Sequence, residues 1–510
     1  MKNSGKPDFA AGIIAGQLPD GGLMQGEVNG EDVVLARRGD EFFAVGASCP
    51  HYGGPLAEGI IVGNQLRCPL HHSSFNLRTG EALCAPAFDS IPCWRTERIG
   101  QTVYVRGKRE PDRKEPALPS PPDSVVIVGG GAAGLSAAQM LRREGYQGPV
   151  TIISADDAAP YDRPNLSKDF LAGKAPEEWM PLRPPDFYSS KRIDLLLHAR
   201  VTAIDVRRRQ VQLADGRSYP FGALLLATGA EPIQLPVPGA DASRIHYLRT
   251  FADSRALAST AASAKQVLIA GASFIALEVA ASLRERGVAI HIAAPEHVPL
   301  ERALGREIGL FLQRLHESHG VVFHLGEMVA HFDGRQATLS SGSRVDAGEI
   351  LIGAGVQPSL GLAAQAGLKL DRGVVVNQYL ETSEPGIFAA GDIARWPNPY
   401  SGEQVRIEHW VVAERQGQVA ARNILGYRER FAAVPFFWTQ QYGVSVRYVG
   451  HAAKWDAVEI EGSLEDKNCA ITYKLNGRVL AVATVGRDCQ SLEAEASMEA
   501  AFPMTRKGAG

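Results

Sequence analysis

Val125-Val126-Ile127-Val128-Gly129-Gly130-Gly131-Ala132-Ala133-Gly134, continuing into LSAAQMLRRE at residues 135–144, decides the fold. A run of β-formers enters G-x-G-x-x-G and leaves as an alanine- and leucine-rich helical segment. Gly129 permits the tight turn, Gly131 lets the backbone approach a pyrophosphate, and Gly134 lets the helix pack on its strand. The helix N-terminus then faces phosphate. The next strand, VTIIS, begins at residue 150 and is followed by Asp156, an acid placed to meet a ribose. This is a dinucleotide-binding turn on a parallel sheet.

The same style extends outward. ALLLATG, QVLIAG and AIHIAA alternate with helical stretches, as βαβ units do. A second glycine-containing turn, Gly271-Ala272-Ser273-Phe274-Ile275-Ala276-Leu277-Glu278, follows QVLIA. Residues 1–108 read differently, as short β-favouring runs (VVLARR, EFFAVG, QTVYVRG) between turns, and so as a small all-β domain. Residues 109–122, rich in Pro and charge, read as a linker. The first nucleotide module is expected over 123–242 and 366–431, and the second over 243–365. Residues 432–510 form a strand-rich α+β domain closed by the helical tail SLEAEASMEAAF.

Composition narrows the function classes. A chain of 510 residues with 45% hydrophobic and 21% charged residues can bury several cores. A formal charge of −3 gives no reason to expect nucleic acid or an anionic membrane as partner. No apolar run reaches the length of a membrane span. The N-terminus MKNSGKPDFAAG lacks the apolar core of a secretory signal, and Arg37-Arg38 has no such run behind it. A cytoplasmic location is therefore expected. The six cysteines include no C-x-x-C pair, which argues against a dithiol enzyme. Cys84, Cys93, Cys469 and Cys489 are expected as mostly buried packing residues.

Cys49-Pro50-His51 and Cys68-Pro69-Leu70-His71 form C-x-H and C-x-x-H, each loop giving one thiolate and one imidazole. A mixed-ligand [2Fe–2S] centre needs two cysteines on one iron and two histidines on the other. The zinc alternative has a different usual order, both cysteines before both histidines. Spacing selects His71 over His72, which is expected at the surface or behind the ligands.

The segment CPHYGGPLAEGIIVGNQLRCPLHHSSFNLRTGEAL resembles a Rieske domain through both loops. The resemblance implies that Cys49, His51, Cys68 and His71 hold the cluster. High-potential Rieske proteins carry a flanking cysteine pair, where this chain has Gly54 and Leu70, and a tyrosine where it has Phe75. Fewer hydrogen bonds to sulfur predict a potential toward the negative end of the roughly −150 to +300 mV Rieske range.

Beyond that domain, Tyr161-Asp162-Arg163-Pro164-Asn165-Leu166-Ser167-Lys168 resembles the Y-D-R-P-P-L-S-K segment of oxygenase-coupled ferredoxin reductases and their apoptosis-inducing-factor-like relatives. Ala227-Thr228-Gly229 and Phe388-Ala389-Ala390-Gly391-Asp392 match two further segments in that order, and Arg406-Ile407-Glu408-His409-Trp410 resembles a third. With the N-terminal domain included, the chain is similar to the Rieske-containing apoptosis-inducing-factor-like group. The resemblance implies FAD, held by Gly129, Gly131, Ala133, Gly134, Asp156, Arg163, Lys168, Val201, Thr228, Gly229, Gly391 and Asp392. It implies a nicotinamide nucleotide at Gly271, Ser273, Ile275, Glu278, Glu296 and Trp410. Glu278, Lys168 and Trp410 are the catalytic candidates, although Glu278 also reads as a helix-surface residue and Trp410 as a packing anchor. Glu296, two residues beyond the second strand, and the lack of an arginine in that turn favour NADH, with NADPH as the alternative.

The implied activity passes electrons from NAD(P)H through FAD to the cluster and on to an unnamed acceptor: an oxygenase, a carrier protein or a small molecule. The competing reading is an NADH-dependent redox-sensing protein with slow turnover. A homodimer is an open expectation.

Overall fold

The computed structural model describes residues 5–110 and 117–502. Residues 111–116, the middle of the expected linker, lie outside the described residues.

Among its described residues the N-terminal domain is β apart from two short 3-10 turns. A six-stranded antiparallel sheet has Ile13–Ile14 and Leu23–Val28 at its edges and the Cys93–Ile99 and Thr102–Lys108 strands inside it. Against it lies a four-stranded sheet of Ile60–Val62, Gln65–Arg67, Ser74–Asn76 and Ala82–Cys84. Cys68 to His71 form the turn between two strands of this small sheet. Cys49 to His51 follow the Glu41–Gly46 strand of the large one.

Two parallel sheets follow. Val125–Val128 sits at the centre of the first, paired in parallel with Val150–Ile153 and Ala223–Leu226. All four of its residues are buried, which explains an uninterrupted apolar run in place of alternation. Ile387–Ala389, more than 150 residues later, completes this sheet beside Ala223–Leu226. The second sheet is built likewise around Gln266–Ala270, Ala289–Ala294 and Glu349–Ile352. Each central strand runs into a helix, Ala132–Arg143 and Phe274–Glu285. Gly134 shows why its residue type is needed: a Cβ there would stand 2.0 Å from the Gly129 carbonyl oxygen.

The C-terminal domain is a five-stranded antiparallel sheet from Phe436–Gln441 to Arg478–Val485, followed by the Asp488–Ala501 helix. Among the described residues no helix is long and apolar enough to cross a membrane.

Candidate functional site: a nucleotide cavity beside a two-thiol, two-imidazole loop pair

A cavity of about 1060 Å³ runs between the two parallel sheets and reaches the C-terminal sheet. Gly129, Gly131, Ala133, Asp156, Arg163, Lys168, Val201, Thr228, Gly229, Gly391 and Asp392 line it. So do Ser273, Ile275, Glu278 and Trp410. Three expected contacts do not. Gly134 lies behind the turn, spent on helix packing, and Gly271 packs beneath its own turn, where a Cβ would meet the Gly353 carbonyl oxygen at 2.5 Å. Glu296 is exposed outside the cavity, its carbonyl accepting the Gly326 N–H.

The departures from glycine in the second turn have local reasons. Ser273 caps the Phe274–Glu285 helix, its hydroxyl accepting the Ala276 N–H at 3.3 Å. Ala276 faces Gly353 on the neighbouring strand exit, so the missing space is supplied from the other side.

Glu278 is buried, not on a helix surface, at 3% exposure. Lys168 Nζ donates to its Oε2 at 2.7 Å, Thr439 donates to Oε1 at 2.7 Å, and the Ser167 hydroxyl donates to Oε2. Three segments, the turn at residues 163–168, the Phe274–Glu285 helix and the Phe436–Gln441 strand, thus meet on one carboxylate. Across the cavity Arg249 pairs with Asp392 at 2.8 Å, and Arg163 donates to the Arg249 carbonyl at 2.7 Å. Arg249 has no motif around it in the sequence, so spacing could not find it.

These residues fit a flavin nucleotide. A Cβ added to Gly131 would meet nothing within 4 Å, so the backbone there is free to approach a ligand. Ala132 and Ala133, the first turn of a twelve-residue helix, line the cavity with their N–H groups available to a pyrophosphate.

The thiols and imidazoles converge as two pairs. The Cys49 and Cys68 thiols are hydrogen-bonded to each other, and His51 Nδ1 stands 3.1 Å from His71 Nδ1. The Cys49 thiol is lowered to about 7, first by the bond from Cys68, then by the Ser73 hydroxyl and the His51 and Tyr52 N–H groups, against burial. Cys68 is raised by the same thiol pair and by burial, while its sulfur also accepts from the Leu70 and His71 N–H groups. Burial pushes His51 down to about 4 and His71 well below the usual imidazole value, so both rings are neutral. Among the described residues, no group of three or more such side chains is arranged to hold a single metal ion. A thiol pair beside a pair of neutral imidazoles matches the ligand set of a two-iron cluster, two cysteines on one iron and two histidines on the other. Gly54 matters sterically, since a Cβ would meet Cys68 Sγ at 2.6 Å. Phe75 is fully buried and offers no hydroxyl, but the Ser73 hydroxyl, outside both ligand motifs, supplies a hydrogen bond to Cys49.

The two centres are joined directly. Trp438 lines the cavity, and its ring lies 4.1 Å from the His71 ring, centroid to centroid. On the other imidazole, Tyr52 stacks on His51 at 4.1 Å and donates its hydroxyl to Asp162.

Of the two places expected for His72, the structure selects the one behind the ligands. The residue is 1% exposed and stacks on Phe436 at 3.9 Å. Its Nδ1 lies 2.7 Å from Glu495 Oε2 and its Nε2 lies 3.2 Å from the Ser491 hydroxyl. Arg415 donates to the His72 and Ala85 carbonyls at 3.1 and 3.2 Å and pairs with Glu495 at 2.7 Å. The ligand loop is therefore clamped to the C-terminal helix. Cys489 corrects an expectation: it is exposed, its thiol 3.2 Å from the Glu58 carbonyl oxygen, and Cys84 is only partly buried.

Residues 123–417 match the family described as "Pyridine nucleotide-disulphide oxidoreductase", more than half of the chain. The chain belongs to that family. Residues 13–95 of this oxidoreductase match "Rieske [2Fe-2S] domain" and residues 436–508 match "Reductase C-terminal". Apoptosis-inducing factor 3 from Homo sapiens is 34% identical over 491 residues, covering 92% of this chain and 80% of that one. Putidaredoxin reductase from Pseudomonas putida is 36% identical over 375 residues, covering 72% and 89%. Among solved structures, a covalent putidaredoxin reductase–putidaredoxin complex superposes with a TM-score of 0.72 at 34% identity, over 74% of this chain and 93% of that one. The oxidoreductase is an FAD-dependent, NAD(P)H-using enzyme with a Rieske [2Fe–2S] domain. Despite the family's description, none of its described cysteines lines the cavity.

Proposed function

We propose that this oxidoreductase takes hydride from NADH at the cavity and passes the electrons singly to its own Rieske cluster, from which an external acceptor draws them. FAD accepts an electron pair and releases single electrons, and the protein's part is to position donor and acceptor. Arg163 and Lys168 are assigned to the flavin side, Glu278 and Trp410 to the nicotinamide side, and Cys49, His51, Cys68 and His71 to the irons. The observation that supports the reading is Trp438, which borders the cavity and packs on His71. Putidaredoxin reductase, by its name, serves a separate electron carrier; here an iron–sulfur domain is part of the same chain, which raises the effective concentration of acceptor at the flavin.

Anaerobic titration with NADH, followed by absorbance and EPR, tests it. The expected result is flavin bleaching followed by a Rieske-type signal. Flavin bleaching with a cluster that stays oxidised contradicts it.

A second reading rests on the match to apoptosis-inducing factor 3, which spans the Rieske domain as well as the reductase domains. In that reading, reduction by NADH changes assembly and turnover is slow. An NADH-dependent change in sedimentation with negligible reduction of one-electron acceptors favours it.

A further inference from the structure

Between the cavity and the cluster loop lie two buried carboxyl groups that the electron path does not use. Glu414 is 1% exposed and Asp162 is 7% exposed. Among the described residues neither forms an ion pair: Lys168, the cation whose charge acts on Asp162, is engaged by Glu278, and Arg415, beside Glu414, is engaged by Glu495. Glu414 accepts a hydrogen bond from Trp410, which lines the cavity, and its Oε2 has no hydrogen-bond partner among the described residues. Asp162 accepts from the Tyr52 hydroxyl and the Asn165 N–H. Tyr52 stacks on His51, yet 45% of its surface is open to solvent. The two acids are coupled, the charge of Asp162 acting on Glu414 and both acting on Tyr52.

We propose that Asp162 and Glu414 form a redox-linked proton site, Glu414 staying a neutral acid while Asp162 binds one proton when an electron resides nearby and releases it when the electron leaves. The inference rests on the proposed flavin-to-cluster transfer for its purpose, though not for its test.

Two ionised carboxylates cannot share a dry site without counter-ions, so one of them holds a proton. Burial, then the charge of Asp162, raises Glu414 well above the usual carboxyl range, which marks it as the neutral member. Burial also raises Asp162, while the Tyr52 hydroxyl bond, the Lys168 charge and the Asn165 N–H oppose the rise, so it is the member poised to change. An electron added on either side, at the cavity past Trp410 or at the cluster past Tyr52, brings negative charge and raises Asp162 further. An O–H bond then forms on Asp162 with a proton from solvent, taken up along the half-exposed Tyr52. Nothing at the pair is oxidised or reduced. When the electron goes to the external acceptor, the O–H bond breaks and the proton returns to solvent. Negative charge at the two centres is thus offset without moving a protein charge.

The test is infrared difference spectroscopy on the holoprotein, reduced chemically with dithionite so that NADH reactivity is not required. In wild type a protonated-carboxyl stretch is expected to grow on reduction and to shift in D₂O. In Asp162→Asn that growing band should vanish, and an indicator dye in weak buffer should report about one proton fewer taken up per molecule. In Glu414→Gln the band should persist at a shifted position. Absorbance and EPR of each variant establish that flavin and cluster are in place. A wild-type difference spectrum without a new carboxyl band overturns the proposal, as does a band and proton uptake unchanged in Asp162→Asn. Failure of NADH to reduce the cluster would count against the transfer reading and leave this result standing on its own.

Discussion

Trp438 and His71 are in contact, their rings 4.1 Å apart and tilted by 46°, although the two residues come from different domains. This contact connects the nucleotide cavity to the iron-binding loop. Trp438→Ala should leave hydride transfer to flavin unchanged and slow cluster reduction by roughly ten- to a hundredfold, since a loss of about 1 Å in positioning costs up to 10²-fold. Stopped-flow absorbance at flavin and cluster wavelengths separates the two steps. Equal slowing of both would place the tryptophan with the flavin alone.

Lys168 and Glu278 stabilise one another inside the cavity wall. Lys168→Met strands a carboxylate that is 3% exposed, which typically costs about 3–5 kcal/mol. Flavin reduction by NADH should slow and thermal stability should drop. Glu278→Gln keeps the bonds to Thr439 and Ser167 in reach, so it should be milder in stability than in rate. Denaturant unfolding and single-turnover reduction on both variants check this.

Glu495 holds Arg415, Arg67 and His72 together at 1% exposure. Although burial raises its carboxyl, Arg415 and then His72 outweigh it and hold the group well below the usual range. A carboxyl depressed in the folded state adds stability that is present above its unfolded value and is lost as pH falls through the folded one. Glu495→Ala should remove about 3–5 kcal/mol and loosen the N-terminal domain. Limited proteolysis should then release that domain, and wild type should show the same release only in strong acid.

His316 gives a second pH signature. It is fully buried, and burial pushes it down to about 3. Below an ordinary histidine value near 6.5 the unfolded chain binds a proton that the folded chain refuses. His316 should therefore contribute a loss of up to about 1.4 kcal/mol per pH unit between about 6.5 and 3, and the slope should become shallower by that amount in His316→Gln. Urea unfolding across that range measures it.

Gly54→Ala places a methyl 2.6 Å from the Cys68 sulfur. Iron content should fall sharply with FAD retained, as seen by metal analysis beside the flavin absorbance. Full iron loading would mean the loop can yield.

What was legible in the sequence was what is local. Cys49 to His51, Cys68 to His71 and the turn at residues 129–134 carry their chemistry within a few residues, so spacing alone found them. The contacts that organise the site are long-range and carry no motif. Tyr52 reaches Asp162 across 110 residues, His72 reaches Glu495 across 423, and Arg249 reaches Asp392 across 143. His72 was left between surface and interior because its partners come from the far end of the chain. Gly134 packs its helix as the motif says, while Gly271, named as a ligand contact with it, is also accounted for by packing, against the Gly353 carbonyl. Cys489 was read as buried from residue type alone, and it sits on an exposed helix face.

The most direct test of the central claim is rapid mixing of the anaerobic holoprotein with excess NADH, frozen at intervals for EPR. The account predicts a Rieske-type signal that follows flavin reduction with a rate independent of protein concentration, as transfer within one molecule requires. A rate that rises in proportion to protein concentration, or a cluster still oxidised after the flavin is fully reduced, would contradict it.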